Sequence, residues 1–210
     1  MSKVGSISDI QIGYTARGRL ESMSGGVPAI QLRNIAPDGD RNGESVERFR
    51  LGEIPSRYWV QSGDVLFRSR GDINTAVVLG DELPEPAVAV MPLVILRAKA
   101  SILPGYLAWY LNQPEAQRHF DRGARGTGIR MIPMTCLSAL EVPVPDIATQ
   151  RVISEIDCLA KREFELATRL ADRRRQLITA SLLRVASESI HNTTRTTAAA
   201  MARPDTEGKP

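Results

Sequence analysis

The chemistry available to this chain is mostly that of arginine. Of its 27 basic residues, four are lysines (Lys3, Lys99, Lys161 and Lys209) and the rest are arginines. A guanidinium offers a planar fork of donors that matches phosphate or the edge of guanine, although a GC-rich genome would enrich arginine without any such purpose. Two segments set arginines beside residues that let a backbone approach a ligand closely. In Phe67-Arg68-Ser69-Arg70-Gly71-Asp72, strand alternation would put Arg68 and Arg70 on one face, so that both could point at a duplex. The second runs from Arg118 through Arg122, Arg125 and Arg130 and embeds Gly123, Gly126, Thr127 and Gly128. Glycine N–H groups there could meet phosphate while Arg or Thr side chains reach base edges. The candidate contacts are therefore Arg68, Arg70, Arg125, Thr127 and Arg130, with Arg17, Arg19 and Arg33 as secondary candidates. Taken singly, each segment also fits arginines paired with Asp64, Asp72 or Asp121 on the protein's own surface.

Catalytic signatures are missing. Gly123-Ala124-Arg125-Gly126-Thr127-Gly128 is neither GxGxxG nor a Walker loop, and neither GxSxG nor HExxH occurs. An Asp-Pro-Pro-Tyr tetrapeptide of the amino-methyltransferase kind is absent as well. The only Glu-x-Lys, the pair a carboxylate nuclease would use, is Glu207-Gly208-Lys209 near the C-terminus. Two histidines (His119, His191) and two cysteines 22 residues apart (Cys136, Cys158) offer no metal spacing and no disulfide framework, and the thiols read as buried or inert. No apolar run approaches the roughly 18 residues of a membrane span, and Met1 to Ser6 lacks a secretory h-region, so a cytoplasmic protein is expected. Net charge is only +3, with 16 basic and 15 acidic groups in residues 1–145, so any nucleic-acid face must be a local patch. The chemistry expected is recognition without catalysis.

The elements that would carry these residues fall into three regions. Residues 1–145 show short apolar runs broken by Gly, Pro and Asp: Ile7–Ile12, Ala29–Leu32, Asp64–Arg68, Thr75–Leu79, Val88–Val90 and Leu93–Leu96 read as strands. Pro104 opens a helix that Asn112-Gln113-Pro114 ends, and a second short helix runs from Pro114 to Phe120. Trp59 and Trp109 read as core or interface anchors. The expectation is an α+β domain with a mainly antiparallel, barrel-like sheet and short helices.

Residues 146–186 predict one long helix, capped by Asp146 after Pro143-Val144-Pro145. Val152, Ile156, Leu159, Glu163, Leu166, Leu170, Arg173, Leu177 and Ala180 alternate four and three apart, which is a heptad seam. Some 40 helical residues span ~60 Å, too long to be buried on a small domain, so Val152, Ile156, Leu159, Leu166, Leu170 and Leu177 call for a partner helix. Arg173-Arg174-Arg175 covers three azimuths and reads as a solvated stretch of that coiled coil. Residues 187–210, rich in Thr, Ala and Ser, predict a disordered tail.

Several stretches together resemble the specificity subunits of type I restriction–modification systems. Gly63 to Gly71 is similar to a strand of their target-recognition domains, and Leu103 to Asn112 to their "yl-(y/w)-yl" helix. Gly126 to Ile132, followed by Leu140 to Pro145, resembles their Gly-Thr loop and "l-i-P-(l/v)-P" stretch. Ile147-Ala148-Thr149-Gln150-Arg151-Val152-Ile153 stands where the family has "PPLxEQxxI", with Asp146 and Thr149 in place of a proline and the glutamate. The likeness covers about residues 5–185, in the family's order. It implies a subunit that reads double-stranded DNA, holds no cofactor, and delivers adenine-N6 methyltransferase subunits that use S-adenosylmethionine. An ATP-driven restriction subunit can join such assemblies. Family members carry two recognition domains and two helices, whereas one of each is present here, which implies a homodimer with antiparallel helices on a palindromic bipartite site. Two other readings of the residues stay open: a nucleic-acid-binding adaptor that delivers a nuclease in another defence system, and a coiled-coil protein scaffold.

Overall fold

The computed structural model describes residues 1–16, 18–35, 46–71, 73–81, 83, 85–126 and 128–201, with side chains to residue 186. Arg17, Asp72, Thr127 and residues 202–210 lie outside the described residues. The chain forms two compact units, Met1–Asp157 and a second that begins at Cys158.

In chain order the first unit contains β1 (Ser2–Lys3), α1 (Val4–Ile7), β2 (Ser8–Ile12), β3 (Ser22–Ile30), β4 (Arg48–Phe49), β5 (Trp59–Val60), β6 (Val65–Arg68), β7 (Ala76–Val78), β8 (Ala87–Ala89) and β9 (Leu93–Ala98). Then come α2 (Pro104–Leu111), α3 (Pro114–Gly123), α4 (Met134–Ala139), β10 (Glu141–Val142) and the start of α5 (Ile147–Met201). One four-stranded sheet has the order β2-β9-β6-β7 and is antiparallel throughout. The other has the order β4-β3-β8-β5, with β3 and β8 parallel. β1 and β10 form a separate pair. The α+β class and the mainly antiparallel pairing agree with the sequence reading. The barrel does not: among the described residues each sheet keeps two unpaired edges, β2 and β7 in one, β4 and β5 in the other. Closure needs a hydrogen-bonded seam between first and last strands, and two-residue strands such as β4 and β5 offer little ladder to build one.

β6 and β9 are apolar on both faces because a core lies on each side. Val65, Phe67, Val94 and Leu96 pack with Leu107, Leu111 and Phe120 of the helices. Leu66, Leu93 and Ile95 pack with Ile30, Ile35, Val60 and Leu79. The rings of Phe67 and Phe120 meet at 5.0 Å between centroids. Both helices expected after Pro104 and Pro114 are present, each with proline in its first turn. The two-residue strands, α1 and α4 escape sequence reading because they are too short for a period to register.

At β3, a Cβ on Gly26 would run into the backbone oxygen of Phe49, whereas Gly25 faces open space. Backbone inside a sheet cannot rotate aside. Gly26→Ala is expected to cost about 1–3 kcal/mol and Gly25→Ala nearly nothing, as urea unfolding of the two variants will show.

Asp146 caps α5 as expected: its Oδ1 accepts the Thr149 N–H at 3.0 Å and its Oδ2 the Thr149 hydroxyl at 2.7 Å. These bonds hold its carboxyl below the usual carboxylate range. Its share of the stability is therefore full above the ordinary aspartate pKa and fades as pH falls through the lowered one. The helix runs on beyond the boundary of 186 read from the sequence, into the stretch read as tail. In the second unit Leu159, Leu166, Leu170 and Leu177 are 48–70% exposed, and in the first unit so are Val152 and Ile156. Phe164, Ile178, Leu182, Leu183 and Val185 are exposed as well, and lie off the seam as read. Both thiols are free, with Cys158 exposed and Cys136 half-buried. Burial pushes the Cys136 thiol up.

Candidate nucleic-acid interface

The two arginine segments are distant in sequence and adjacent in the fold. After β6 the chain turns through Ser69, which is buried with its hydroxyl donating to the Pro92 carbonyl at 2.6 Å, and reaches Gly71 in a left-handed conformation (φ 117°). The strand segment at Met131 pairs with Arg70 on one side and with Arg125 on the other. The Ile132 N–H donates to the Ser69 carbonyl at 2.7 Å and the Gly71 N–H to the Arg130 carbonyl at 3.0 Å. Arg125 and Met131 exchange two backbone bonds of 2.9 Å, closing the loop between them at its base. Gly126 turns that loop with φ 108°, and a Cβ there would lie 2.9 Å from the Ile129 oxygen, so both its conformation and its space require glycine. The glycine-rich loop is thus tied by its neck to the end of β6.

The candidate arginines divide by environment. Burial alternates from Phe67 to Arg70 as a strand demands, yet Arg68 turns into a cleft of about 540 Å³ lined also by Leu20, Gln31, Ile35 and Pro92. Its Nη1 donates to the Ile35 carbonyl at 2.8 Å, while its buried Nε meets no acceptor among the described residues. This burial pushes the guanidinium's pKa down from its ordinary value. Arg130 donates to the Asp121 carboxylate at 3.0 Å and to its carbonyl at 3.1 Å. Arg33 pairs with Glu47 at 2.5 Å. Arg70, Arg125 and Arg19 are exposed. Arg68 is thus engaged with the protein through the Ile35 carbonyl, whereas Arg70 has its side chain exposed.

Arg68 carries a structural prediction. Arg68→Ala strips the buried Ile35 carbonyl of its donor and is expected to lower stability by about 1–3 kcal/mol. Arg130→Ala removes an exposed pair and should cost no more than about 1 kcal/mol. Urea denaturation separates the two.

Sequence reasoning passed over two positions. Met131 is the meeting point of the segments, and only its place in the chain between paired elements could have marked it. Gln150 is fully buried at the start of α5, where its side chain donates to the carbonyls of Ser101 (3.1 Å) and Pro145 (2.8 Å) and accepts the Leu103 N–H (2.8 Å). A glutamine beside the helix N-terminus was visible, but its partners were not.

No protein-family model and no curated protein matches the chain. Solved structures do. A chain from a structure of complex assembly and conformational transition in a type I restriction–modification system aligns over 79% of this chain with 19% identity and a TM-score of 0.58. The HsdS subunit from Thermoanaerobacter tengcongensis aligns over 77% with 18% identity and a TM-score of 0.54. The S subunit of a type I system from M. genitalium aligns over 79% with 14% identity and a TM-score of 0.53. The chain shares the fold of type I specificity subunits. It spans 37–40% of the length of these three chains. In this specificity-subunit fold the first unit supplies the arginine-bearing turn and loop, and α5 supplies the long helix. Among the described residues no helix is long and apolar enough to cross a membrane.

Proposed function

We propose that this protein is the sequence-specific DNA-recognition subunit of a type I-like restriction–modification complex. Its first unit would read one half of a bipartite duplex site, and α5 would pair with the same helix of a second copy. Two-fold symmetry then gives inverted half-sites. An adenine-N6 methyltransferase would dock on this assembly, in the cytoplasm, and supply both the S-adenosylmethionine site and the chemistry. If a restriction subunit joins, ATP is that subunit's fuel. The observation that carries the reading is the specificity-subunit fold with exposed arginines gathered on one turn-and-loop junction, at Arg70 and Arg125. The apolar seam on α5, exposed from Val152 to Leu177, supports the pairing.

The test is the N6-methyladenine map of the host genome with and without this gene. The expected outcome is loss of methylation at a single bipartite motif, palindromic if two identical copies read it. An unchanged map sinks the reading and moves the adaptor of another defence system to the front.

A further inference from the structure

Three short backbone segments meet edge to edge at Met131. On one side it exchanges both backbone hydrogen bonds with Arg125, and on the other the bonds flanking it, Gly71 to Arg130 and Ile132 to Ser69, set it opposite Arg70. Directly opposed residues of an antiparallel ladder share a face, with Cα atoms about 4.5–5.5 Å apart. Arg70, Met131 and Arg125 therefore stand in a row on one face, the methionine in the middle. All three are exposed, Met131 by 46%. Neither guanidinium has a hydrogen bond or ion pair among the described residues. Arg130, of opposite parity to Met131, is tied to Asp121 instead.

An apolar protein partner suits this row poorly, because covering Met131 would also strip water from two unpaired charges. A duplex groove suits it on every count. Phosphates take the guanidiniums, and the 5-methyl group of thymine, the one apolar feature of the major groove, takes a flexible thioether chain. We propose that Met131 reads a thymine methyl in the major groove, held in place by Arg70 and Arg125 on flanking phosphates. This rests on the DNA-recognition reading and adds to it a base and a residue.

The test uses the full chain, a fluorescent duplex carrying the methylated motif, and the same duplex with deoxyuridine replacing each thymine in turn. Deoxyuridine pairs as thymine does and lacks only the methyl. Wild type is expected to lose about fourfold in affinity at one thymine per half-site, the worth of one buried methyl group. Met131→Ala should bind the thymine duplex more weakly by at least that factor and no longer distinguish it from the deoxyuridine duplex. Met131→Leu should keep the preference. Arg70→Gln and Arg125→Gln should weaken binding to motif and scrambled duplexes alike, each lowering the salt slope by about one for every copy bound. Because Met131 is exposed, an unchanged melting temperature of Met131→Ala checks that the variant folds.

The proposal is overturned if wild type shows no such thymine, or if Met131→Ala keeps the preference. It is overturned equally if Met131→Ala binds DNA as wild type does and instead loses the co-purifying methyltransferase. If wild type binds the motif no better than a scrambled duplex, DNA recognition itself falls, a result read before any variant is made.

Discussion

Gln150→Ala is expected to lower the melting temperature of the first unit by roughly 6–12 °C. The amide is fully buried and joins two places through three bonds: the loop before α2 through the Ser101 carbonyl and the Leu103 N–H, and the chain entering α5 through the Pro145 carbonyl. Leu103 is also the N-cap residue of α2, so the same side chain ties the beginnings of two helices. Truncation leaves a donor and two acceptors without their partner. At about 1–3 kcal/mol for each buried group left unmade, with partial relief from water entering the gap, a loss of about 3 kcal/mol follows. For a chain of this size each kcal/mol moves the midpoint by about 2–4 °C. Gln150→Glu separates shape from hydrogen bonding: it keeps the acceptor for Leu103 but loses the donors to two carbonyls and buries a charge, so it should fare no better than alanine. Thermal unfolding followed by circular dichroism measures both. A Gln150→Ala midpoint within 2 °C of wild type would show that the three bonds contribute little net free energy.

The second large effect concerns oligomeric state. Leu166→Asp combined with Leu170→Asp is expected to convert a two-chain particle into a single chain of 23.0 kDa in sedimentation equilibrium. Both leucines stand about half exposed on the seam of α5. Fully burying an exposed leucine is worth about 1.5–3 kcal/mol, so covering the four half-exposed leucines of a symmetric pair of helices is worth about half of that each. The total of roughly 3–6 kcal/mol is a large share of the whole binding free energy of a micromolar dimer, about 8 kcal/mol. Aspartate removes that gain and adds a charge that burial would penalise. Phe164→Ser is the control: Phe164 is equally apolar and even more exposed, but lies on the outer side of the seam, and its loss should leave the association intact. Methylation of the motif should follow the sedimentation result, vanishing with the double variant and persisting with the control. A double variant that still sediments as two chains would move the interface off the seam.

Much of the architecture is written locally and was legible. Pro104 and Pro114 start α2 and α3 because a missing N–H costs nothing in a first turn. Asp146 caps α5 because its carboxylate reaches the Thr149 N–H within a few bonds of its own backbone. The strands β2, β6, β7, β8 and β9 announced themselves by apolar runs between turn residues, and the long helix α5 by its unbroken helical spacing. Each of these signals depends on residues close together along the chain.

What depended on distant pairing was not legible. The sheets' open edges follow from which strands meet, and β3 running parallel to β8 while pairing antiparallel with β4 has no trace in either segment. The division among the arginines is of the same kind. Arg68 and Arg130 looked equivalent to Arg70 and Arg125 along the sequence, yet the first pair is claimed by the Ile35 carbonyl and by Asp121. Met131 was anonymous until two ladders set it between Arg70 and Arg125. The sequence by itself determined that the chain is rich in arginine, that a long helix follows the sheet-bearing region, and where α2, α3 and α5 begin. Only the tertiary structure decided which guanidiniums are engaged by the protein and which stay exposed, because a charge is consumed or spared by groups that folding brings to it from elsewhere in the chain.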